Sequence, residues 1–268
     1  MSKQSLERFY EPNLRLTQAH GLIGYNAGYA ESRDGGSFDE HQRELVWKLI
    51  GDAPIGPDST VVDIGCGIGG PSSWIYERYA PKRVIGLDFC FPSVRAARAR
   101  QNGNGGPRFL RADAHRIPIP SDSVDVIFNL ESALHYADKH QFLAECYRVL
   151  KPGGVLCLGD VTTEHRRFFA AAQMLNIANT QFSTHATLWR TSDYLKAFET
   201  TGFELLRHDM VSQQASNSLK NGLRDVGRVG WRGAKGYRGR YLYLWFMEVL
   251  FRREWLIYDL FGLRKPVA

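Results

Sequence analysis

Apolar residues in the central part of the chain come in short runs, separated by longer stretches that repeat apolar residues at helical spacing. The short runs are typical of buried strands, and the longer stretches are typical of amphipathic helices. Alternating strands and helices with short links favour a mostly parallel sheet with helices on both faces. The predicted strands are 59–67, which runs into a glycine loop, 82–89, 107–114, 124–131 and 154–161; the helices between them are 70–80, 92–101 and 139–150.

Further elements are predicted on either side of this alternating region. Residues 37–53 form a helix before the first strand, because Ser37 and Glu40 have the spacing of a capping box and apolar residues follow on one face. Towards the carboxyl terminus we expect a helix at 191–202, a strand at 203–211 and a last strand at 254–263.

Two stretches interrupt the alternation, at about 162–190 and about 212–253. Both are long enough to form a cap over the ends of the strands. In α/β sheets of this kind, ligands bind at the carboxyl ends of the strands. The expected organisation is therefore a helical N-terminal lid over residues 1–58, followed by a main domain over 59–268 that carries both cap insertions.

Composition limits the class of protein. The chain has 268 residues and 44% hydrophobic content, enough to bury a full core. Its four cysteines lie in apolar or helical segments without metal-binding spacing, so we expect reduced thiols and a cytoplasmic protein. The start of the chain has no apolar segment of the secretory type, and no run reaches the roughly 18 apolar residues that span a bilayer. Neither secretion nor an integral membrane segment is expected.

Positive charge is concentrated in the last quarter of the chain. Residues 205–268 carry 12 lysines and arginines against 5 aspartates and glutamates, whereas the whole chain has a net charge of +6. Aromatic residues such as Trp231, Tyr237 and Tyr241 interrupt the basic ones. Three interpretations stay open: an ordinary solvated face, a site for an anionic or hydrophobic substrate, and a surface for nucleic acid or membrane.

A glycine loop follows the first predicted strand, in the segment VVDIGCGIGG at 61–70. Gly65, Gly67 and Gly69 let the backbone turn tightly and approach a ligand closely. Asp63 precedes the loop at the end of the strand, where a diphosphate would be repelled and a cationic ligand would be favoured. A positively charged ligand would therefore suit this loop.

Two more aspartates end the next two predicted strands. Asp88 follows Gly65 by 23 residues, which is the spacing at which a carboxylate binds ribose hydroxyls. Asp113 supplies a third acceptor in the segment RADAHRIPIP. Three carboxylates at successive strand ends favour a ligand site over three unrelated loop residues.

Over residues 37–160 these motifs, together with RVLKPGG, resemble the class I S-adenosylmethionine-dependent methyltransferases. The resemblance implies a Rossmann-like sheet of seven strands with an antiparallel last strand, and S-adenosylmethionine as the cofactor. Asp63 would lie near the methionine ammonium, Asp88 would bind the ribose, and Asp113 would lie at the adenine. The cofactor-binding residues implied are Tyr29, Asp63, Gly65, Cys66, Gly67, Asp88, Phe89, Asp113, Ala114, Asn129 and Leu130.

The segment NLESALHY at 129–136 follows the fourth predicted strand, the position that faces the cofactor's methyl group in the family. It does not match the Asn-Pro-Pro-Tyr motif of methyltransferases that act on amino groups of nucleic acids, so no nucleic-acid substrate is expected. It is similar to the corresponding segment of small-molecule enzymes that include macrolide-sugar O-methyltransferases. In that group His135 would be the general base and Asp160 would assist it.

The residue types suit this chemistry. Methyl transfer is an in-line displacement, and an alcohol is a poor nucleophile until its proton leaves. A histidine that titrates near neutrality can accept the proton, and a neighbouring carboxylate can orient its ring. Glu131 is a third candidate catalytic residue, as a second base or as a residue that binds the cofactor or the loop. No metal site is expected, because these roles account for the acidic and histidine residues.

The acceptor is expected to be a hydroxyl of a small, largely apolar natural product or its attached sugar. The alternative is C-methylation of an isoprenoid or lipid-like acceptor, whose carbocation the aromatic residues Phe168, Phe182 and Trp189 could stabilise. Tyr25 and Tyr29 resemble tyrosines of an N-terminal lid over the cofactor, and packing aromatics are an equal alternative. Self-association into a homo-oligomer stays open.

Overall fold

The computed structural model describes residues 26–101, 105–167, 187–229 and 237–267, without the side chains of 226–229 and 237–240. Its strands are β1 (Thr60–Ile64), β2 (Arg83–Asp88), β3 (Arg108–Arg111), β4 (Val124–Leu130), β5 (Leu150–Thr162), β6 (Glu204–Met210) and β7 (Ile257–Arg264). They form one sheet of seven strands in the order β3-β2-β1-β4-β5-β7-β6. Strands β1 to β5 pair in parallel, and β7 is antiparallel to both β5 and β6. The predicted Rossmann-like sheet with an antiparallel last strand is confirmed.

Helices follow most of the strands. They are α1 (Phe38–Ile50), α2 (Gly70–Tyr79), α3 (Phe91–Ala99), α4 (Lys139–Val149), α5 (Thr191–Thr201), α6 (Ser212–Val229) and α7 (Tyr237–Arg252). The predicted capping box starts α1, where the Glu40 amide donates to the Ser37 hydroxyl and the Glu40 carboxylate accepts from the Ser37 amide. Helix α2 has Pro71 in its first turn, where the missing amide hydrogen removes no helical bond.

Apolar side chains from both faces of the sheet form two cores. The first core contains Leu45 and Leu49 of α1 and Trp74 of α2, together with residues of α7. The second core contains Phe142 of α4 and Phe198 of α5. Strand β7 contributes to both, with Tyr258 and Leu260 in the first core and Phe261 and Leu263 in the second. Both faces are therefore covered, which fixes the sheet and leaves the strand ends for a site.

Strand β5 is longer than the sequence predicted. It begins at Leu150, whereas the strand was expected from Gly154 onwards. Val124 pairs with Leu150 and, after a shift of register, Val126 pairs with Val155. The proline and glycines between them form an irregularity at the start of the strand, where Gly153, with a φ of +82°, lets the chain bend.

Helices α6 and α7 lie between β6 and β7 along the chain, in the second of the two predicted cap segments. Within the first cap segment, residues 168–186, including Phe168 and Phe182, lie outside the described residues, as do Tyr25 and Trp231. The lid and cap boundaries stay predictions. Among the helices that the structure describes, none is both long and apolar enough to cross a bilayer.

Candidate active site

The carboxyl ends of β1, β2 and β4 meet at one edge of the sheet. Ile64 of β1 pairs with Leu87 of β2, and Asp63 pairs with Phe128 of β4. The segments that leave these three strands therefore lie side by side. This is the edge at which open α/β sheets bind their ligands.

The glycine loop is held tightly against its neighbours. The amides of Gly65 and Cys66 both donate to the Leu87 carbonyl, at 2.7 and 3.0 Å. Gly65 has a φ of +76°, and a Cβ atom there would lie 1.9 Å from the Ser132 hydroxyl oxygen. Glycine is required at this position, both for the left-handed backbone and for the close approach of the segment after β4.

Asp88 ends β2 next to the loop. Its Oδ2 accepts from the Gly67 amide and its Oδ1 from the Cys90 amide, each at 2.8 Å. Burial raises the pKa of Asp88, and the two amide donors oppose the shift. A carboxylate oxygen accepts more than one hydrogen bond, so both oxygens keep capacity for ribose hydroxyls. Phe89 follows, partly buried, with the Arg111 guanidinium 5.7 Å from its ring.

Asp63 lies below the loop and is almost fully buried. It accepts a hydrogen bond of 2.5 Å from the Ser72 hydroxyl. Burial raises the pKa of Asp63 to about 7, and the nearby charge of Asp88 adds to the shift. A cation bound near Asp63 would favour its ionised form.

Cys66 is buried with Val94, Ala97 and Phe109 in a small apolar cluster. Burial raises the pKa of its thiol well above the ordinary range, which keeps the sulfur neutral. We therefore expect any contact of Cys66 with a cofactor to come from its backbone. The thiol serves the packing beneath the loop.

Asp113 and Ala114 follow β3, at the predicted adenine side. Asp113 is exposed, and its Oδ1 accepts from the His115 amide at 2.9 Å and contacts His115 Nδ1 at 2.6 Å. The Asp138 amide donates to His115 Nε2 at 3.3 Å, so Nδ1 carries the hydrogen that bonds to Asp113. Ala114 packs against the second core. His115, which the sequence analysis did not single out, thus ties Asp113 to the start of α4.

Asn129 provides a test of whether the residues fit the cofactor. Its Nδ2 donates to the Ile64 carbonyl at 2.8 Å and to the Tyr136 hydroxyl at 3.1 Å. Its buried Oδ1 has no hydrogen-bond partner among the described residues. Buried acceptors are rarely left unsatisfied, and this one lies beside the glycine loop. An ammonium or hydroxyl of S-adenosylmethionine would satisfy it, so the residues fit the cofactor. The neighbouring Leu130 is buried in the first core.

His135 ends a short 3₁₀ turn, Ala133–His135, and is partly buried. The turn follows β4 directly, and the His135 amide donates to the Ser132 carbonyl at 3.0 Å. The turn is fixed from below by Lys139, whose Nζ donates to the Ala133 carbonyl at 2.5 Å. His135 is therefore presented at the strand-end edge by a turn that buried hydrogen bonds hold in place.

Asp160 completes this support. Its Oδ1 accepts from the Leu134 amide at 3.1 Å, and its Oδ2 accepts from Lys139 Nζ at 3.0 Å and from the Tyr194 hydroxyl. The Lys139 and Asp160 side chains are both fully buried. Burial lowers the pKa of Lys139, and the Asp160 carboxylate opposes that shift.

The described hydrogen bonds of Asp160 thus go to Leu134, Lys139 and Tyr194, rather than to the His135 ring that it was expected to assist. Its carboxylate needs these donors, because a buried negative charge is costly unless it is paired. We infer that Asp160 acts on His135 through the backbone of the turn, as a positioning residue.

Glu131 lies between the N-terminal segment and β7. Its Oε1 accepts from the Ala27 amide and from the Tyr258 hydroxyl, both at 2.6 Å. The backbone is left-handed, with a φ of +49°, and its amide donates to the Gly159 carbonyl. The residue keeps some exposed surface, but its carboxyl group is desolvated, and this burial raises the pKa of Glu131 to about 7. Such a group can take up or release a proton near neutral pH.

Tyr29 makes contacts of its own. Its hydroxyl donates to the Glu31 carboxylate, and the Lys48 ammonium lies 5.8 Å from its ring centre. Burial and the Glu31 carboxylate raise the pKa of Tyr29 to about 12. Its predicted contact with the cofactor stays a prediction.

Besides His115, sequence reasoning missed three side chains that bond to the carboxylates of Asp160 and Glu131: Lys139, Tyr194 and Tyr258. Lys139 could have been noticed in the sequence, because it stands at the amino end of a predicted helix. A cation there is unfavourable with the helix dipole and needs a specific partner. Tyr194 and Tyr258 were indistinguishable from core aromatics, and only the fold brings their hydroxyls to carboxylates.

Comparison with known proteins identifies the family of the chain. The family described as methyltransferase domain matches residues 62–158. The methyltransferase GfsG of Streptomyces halstedii is 30% identical over 212 residues, which cover 77% of this chain and 75% of that protein. The erythromycin 3''-O-methyltransferase of Saccharopolyspora erythraea is 34% identical over 139 residues, covering 51% of this chain and 45% of that protein. The chain belongs to the class I S-adenosylmethionine-dependent methyltransferases.

The fold has the same architecture as a solved relative. Geranyl diphosphate C-methyltransferase from Streptomyces coelicolor A3(2), crystallised with geranyl-S-thiolodiphosphate and S-adenosylhomocysteine, aligns with a TM-score of 0.77 at 18% identity. The alignment covers 98% of this chain and 97% of that chain. The cofactor of the present enzyme is S-adenosylmethionine, as the sequence motifs predicted.

Proposed function

We propose that this enzyme methylates a hydroxyl group of a small, largely apolar natural product or its attached sugar. The observation that supports the proposal is the presentation of His135 on a turn fixed by the buried Lys139–Asp160 pair, at the strand-end edge that carries the proposed cofactor residues. The name of the erythromycin relative, an O-methyltransferase, supports the same reaction type.

The cofactor supplies a methyl group on a positively charged sulfur. In the proposal, Asp88 accepts hydrogen bonds from the ribose hydroxyls, and Asn129 Oδ1 accepts one from the methionine ammonium or a neighbouring donor. The ionised form of Asp63 adds negative charge on the same side. Together these groups orient the ligand, and orientation provides much of the rate in an in-line displacement.

His135 then removes the proton that makes the acceptor a poor nucleophile. The proton would move from the hydroxyl to a ring nitrogen of His135 as the oxygen takes the methyl group, whose bond to the cofactor sulfur breaks and leaves neutral S-adenosylhomocysteine. A positioned base of this kind contributes roughly 10² to 10⁴ in rate. Lys139 and Asp160 keep the turn in one conformation, so that the ring stays where the proton leaves.

A second candidate is C-methylation of an isoprenoid or lipid-like acceptor, and Glu131 favours it. Methyl addition to an alkene carbon leaves a cation on the neighbouring carbon, and loss of a proton from the adjacent position restores the double bond. Glu131, with its pKa near 7, could accept that proton beside the Tyr258 hydroxyl. The solved relative named a geranyl diphosphate C-methyltransferase has the same fold.

Variants at the two candidate bases separate the two reactions. For a hydroxyl acceptor, His135→Ala should lower kcat by about 10² to 10⁴ with cofactor affinity nearly unchanged. Glu131→Gln is the matched variant, because the amide keeps an acceptor oxygen for Ala27 and Tyr258. Normal turnover by His135→Ala together with an inactive Glu131→Gln would reject the proposal and support C-methylation.

A further inference from the structure

Helix α7 has an apolar face that the rest of the described structure leaves exposed. Tyr241, Leu242, Trp245 and Phe246 are 42%, 61%, 50% and 36% exposed. Their spacing places them on one side of the helix. Contiguous exposed aromatic residues of this size are rare on a protein surface without a partner.

The opposite face of α7 anchors the helix to the body of the enzyme. Leu244, Met247, Leu250 and Phe251 are buried in the first core. The exposed face therefore belongs to a helix that is already folded and fixed. Contact with a partner would require no unfolding of the cap.

The sequence places two arginines at or near each end of this helix, and one exposed glutamate follows the second pair. Arg252 and Arg253 at its carboxyl end are exposed, and the sequence places Arg238 and Arg240 in its first turn. The acidic residue of the described helix side chains, Glu248, is buried and accepts hydrogen bonds from Ser216 and Arg252. Glu254 is exposed just beyond the helix.

We propose that the exposed face of α7 docks the enzyme on an anionic lipid bilayer. A folded helix with Trp, Phe and Leu on one side and arginines at its ends matches helices that lie in the plane of a membrane surface. Aromatic rings favour the boundary between headgroups and acyl chains, and arginines bind lipid phosphates while their aliphatic stems stay in contact with the apolar layer. This inference does not depend on which acceptor atom is methylated.

The charge pattern favours lipid over two other occupants. In a symmetric contact between two copies, antiparallel α7 helices would bring the basic start of one helix against the basic end of the other. A nucleic acid would use the arginines but would leave the aliphatic Leu242 without a matching surface. An anionic bilayer satisfies both the apolar centre and the basic ends.

Sedimentation with vesicles tests the proposal on the whole 268-residue chain. Vesicles of phosphatidylcholine alone are compared with an equimolar mixture of phosphatidylcholine and phosphatidylglycerol. The wild type should bind the mixed vesicles and bind the neutral ones much more weakly. Trp245→Asp should lower the partition coefficient about tenfold or more, since it replaces a large apolar contact with a repelled charge. Arg253→Glu should weaken binding to the mixed vesicles selectively.

Leu206→Ser is the matched control, because Leu206 is a comparably exposed apolar residue, at 48%, on the edge strand β6. It should bind vesicles as the wild type does, and circular dichroism should show that all variants are folded. Wild type that fails to bind mixed vesicles would overturn the proposal, as would equal binding by Trp245→Asp. Dimers of the wild type that Trp245→Asp disperses, or salt-sensitive retention on DNA without vesicle binding, would reject it in favour of those partners.

Discussion

Replacing Lys139 by methionine would remove the ammonium from the buried pair beneath the His135 turn while keeping a side chain of similar length. Lys139 Nζ lies 3.0 Å from Asp160 Oδ2, and both side chains are fully buried. The change leaves the carboxylate with the Tyr194 hydroxyl and the Leu134 amide as donors, but without a compensating charge. The Ala133 carbonyl also loses its donor.

Breaking one side of a buried ion pair costs about 3 to 5 kcal/mol, because the remaining charge stays out of water. This is a large part of the roughly 5 to 15 kcal/mol that stabilises a typical domain. Lys151→Met is the matched control. Lys151 also pairs with an aspartate, Asp125, at 2.7 Å, but the lysine is 43% exposed. Exposed pairs contribute about 0.2 to 1 kcal/mol, so this control should be nearly neutral.

Equilibrium unfolding in urea measures the difference between the two variants. Adding Asp160→Asn to Lys139→Met should recover part of the lost stability, because the uncompensated charge is removed. Single-turnover kinetics should show that Lys139→Met lowers the methyl-transfer rate more than it weakens cofactor binding, since the turn that carries His135 loses its support. Equal stability of Lys139→Met and Lys151→Met, or no recovery in the double variant, would refute this description of the buried network.

Two other predictions concern ionisable groups at the strand ends. The pKa of Glu131 is raised to about 7, so the wild type should lose stability as pH rises from its unfolded pKa of 4.5 towards 7. The free energy of unfolding should fall by about 3 kcal/mol at most over this range, and the fall should be absent in Glu131→Gln. Urea titrations at several pH values measure it. Parallel pH profiles for the two proteins would contradict the prediction. Asp88→Ala should weaken S-adenosylmethionine and S-adenosylhomocysteine binding by about tenfold or more in calorimetry, because a charged acceptor for the ribose is lost, and unchanged affinity would contradict the assignment.

The sheet could be predicted because its signals are local. Strand β1 is a short apolar run that is followed by glycines, and the capping box of α1 consists of Ser37 and Glu40. The period of the apolar residues and the capping and turn residues determine such elements, whatever the rest of the chain contains. The predicted start of β5 was wrong. The pairing of Val124 with Leu150 extends the strand, and this pairing depends on a neighbouring strand and not on the local sequence.

The site was predictable in part. The glycine loop and Asp88 could be found because their chemistry depends on backbone position at a strand end. Asp160 was also singled out, as a residue that assists His135, but its partners Lys139 and Tyr194 were not, because only the fold brings these distant side chains to the carboxylate. The hydrogen bonds of the Glu131 carboxyl could not be predicted for the same reason, because their donors, Ala27 and Tyr258, are distant in sequence.

The most direct test of the proposed reaction is to identify the atom that receives the methyl group. Purified enzyme is incubated with S-adenosylmethionine labelled with carbon-13 in its methyl group, and with a panel of alcohols, phenols, macrolide sugars and prenyl diphosphates. Nuclear magnetic resonance of the products distinguishes a methyl group on oxygen from one on carbon. We predict label in a methoxy group of a hydroxyl acceptor, with the yield strongly reduced in His135→Ala. Label found only on carbon of a prenyl acceptor would contradict O-methylation and the assignment of His135 as the base.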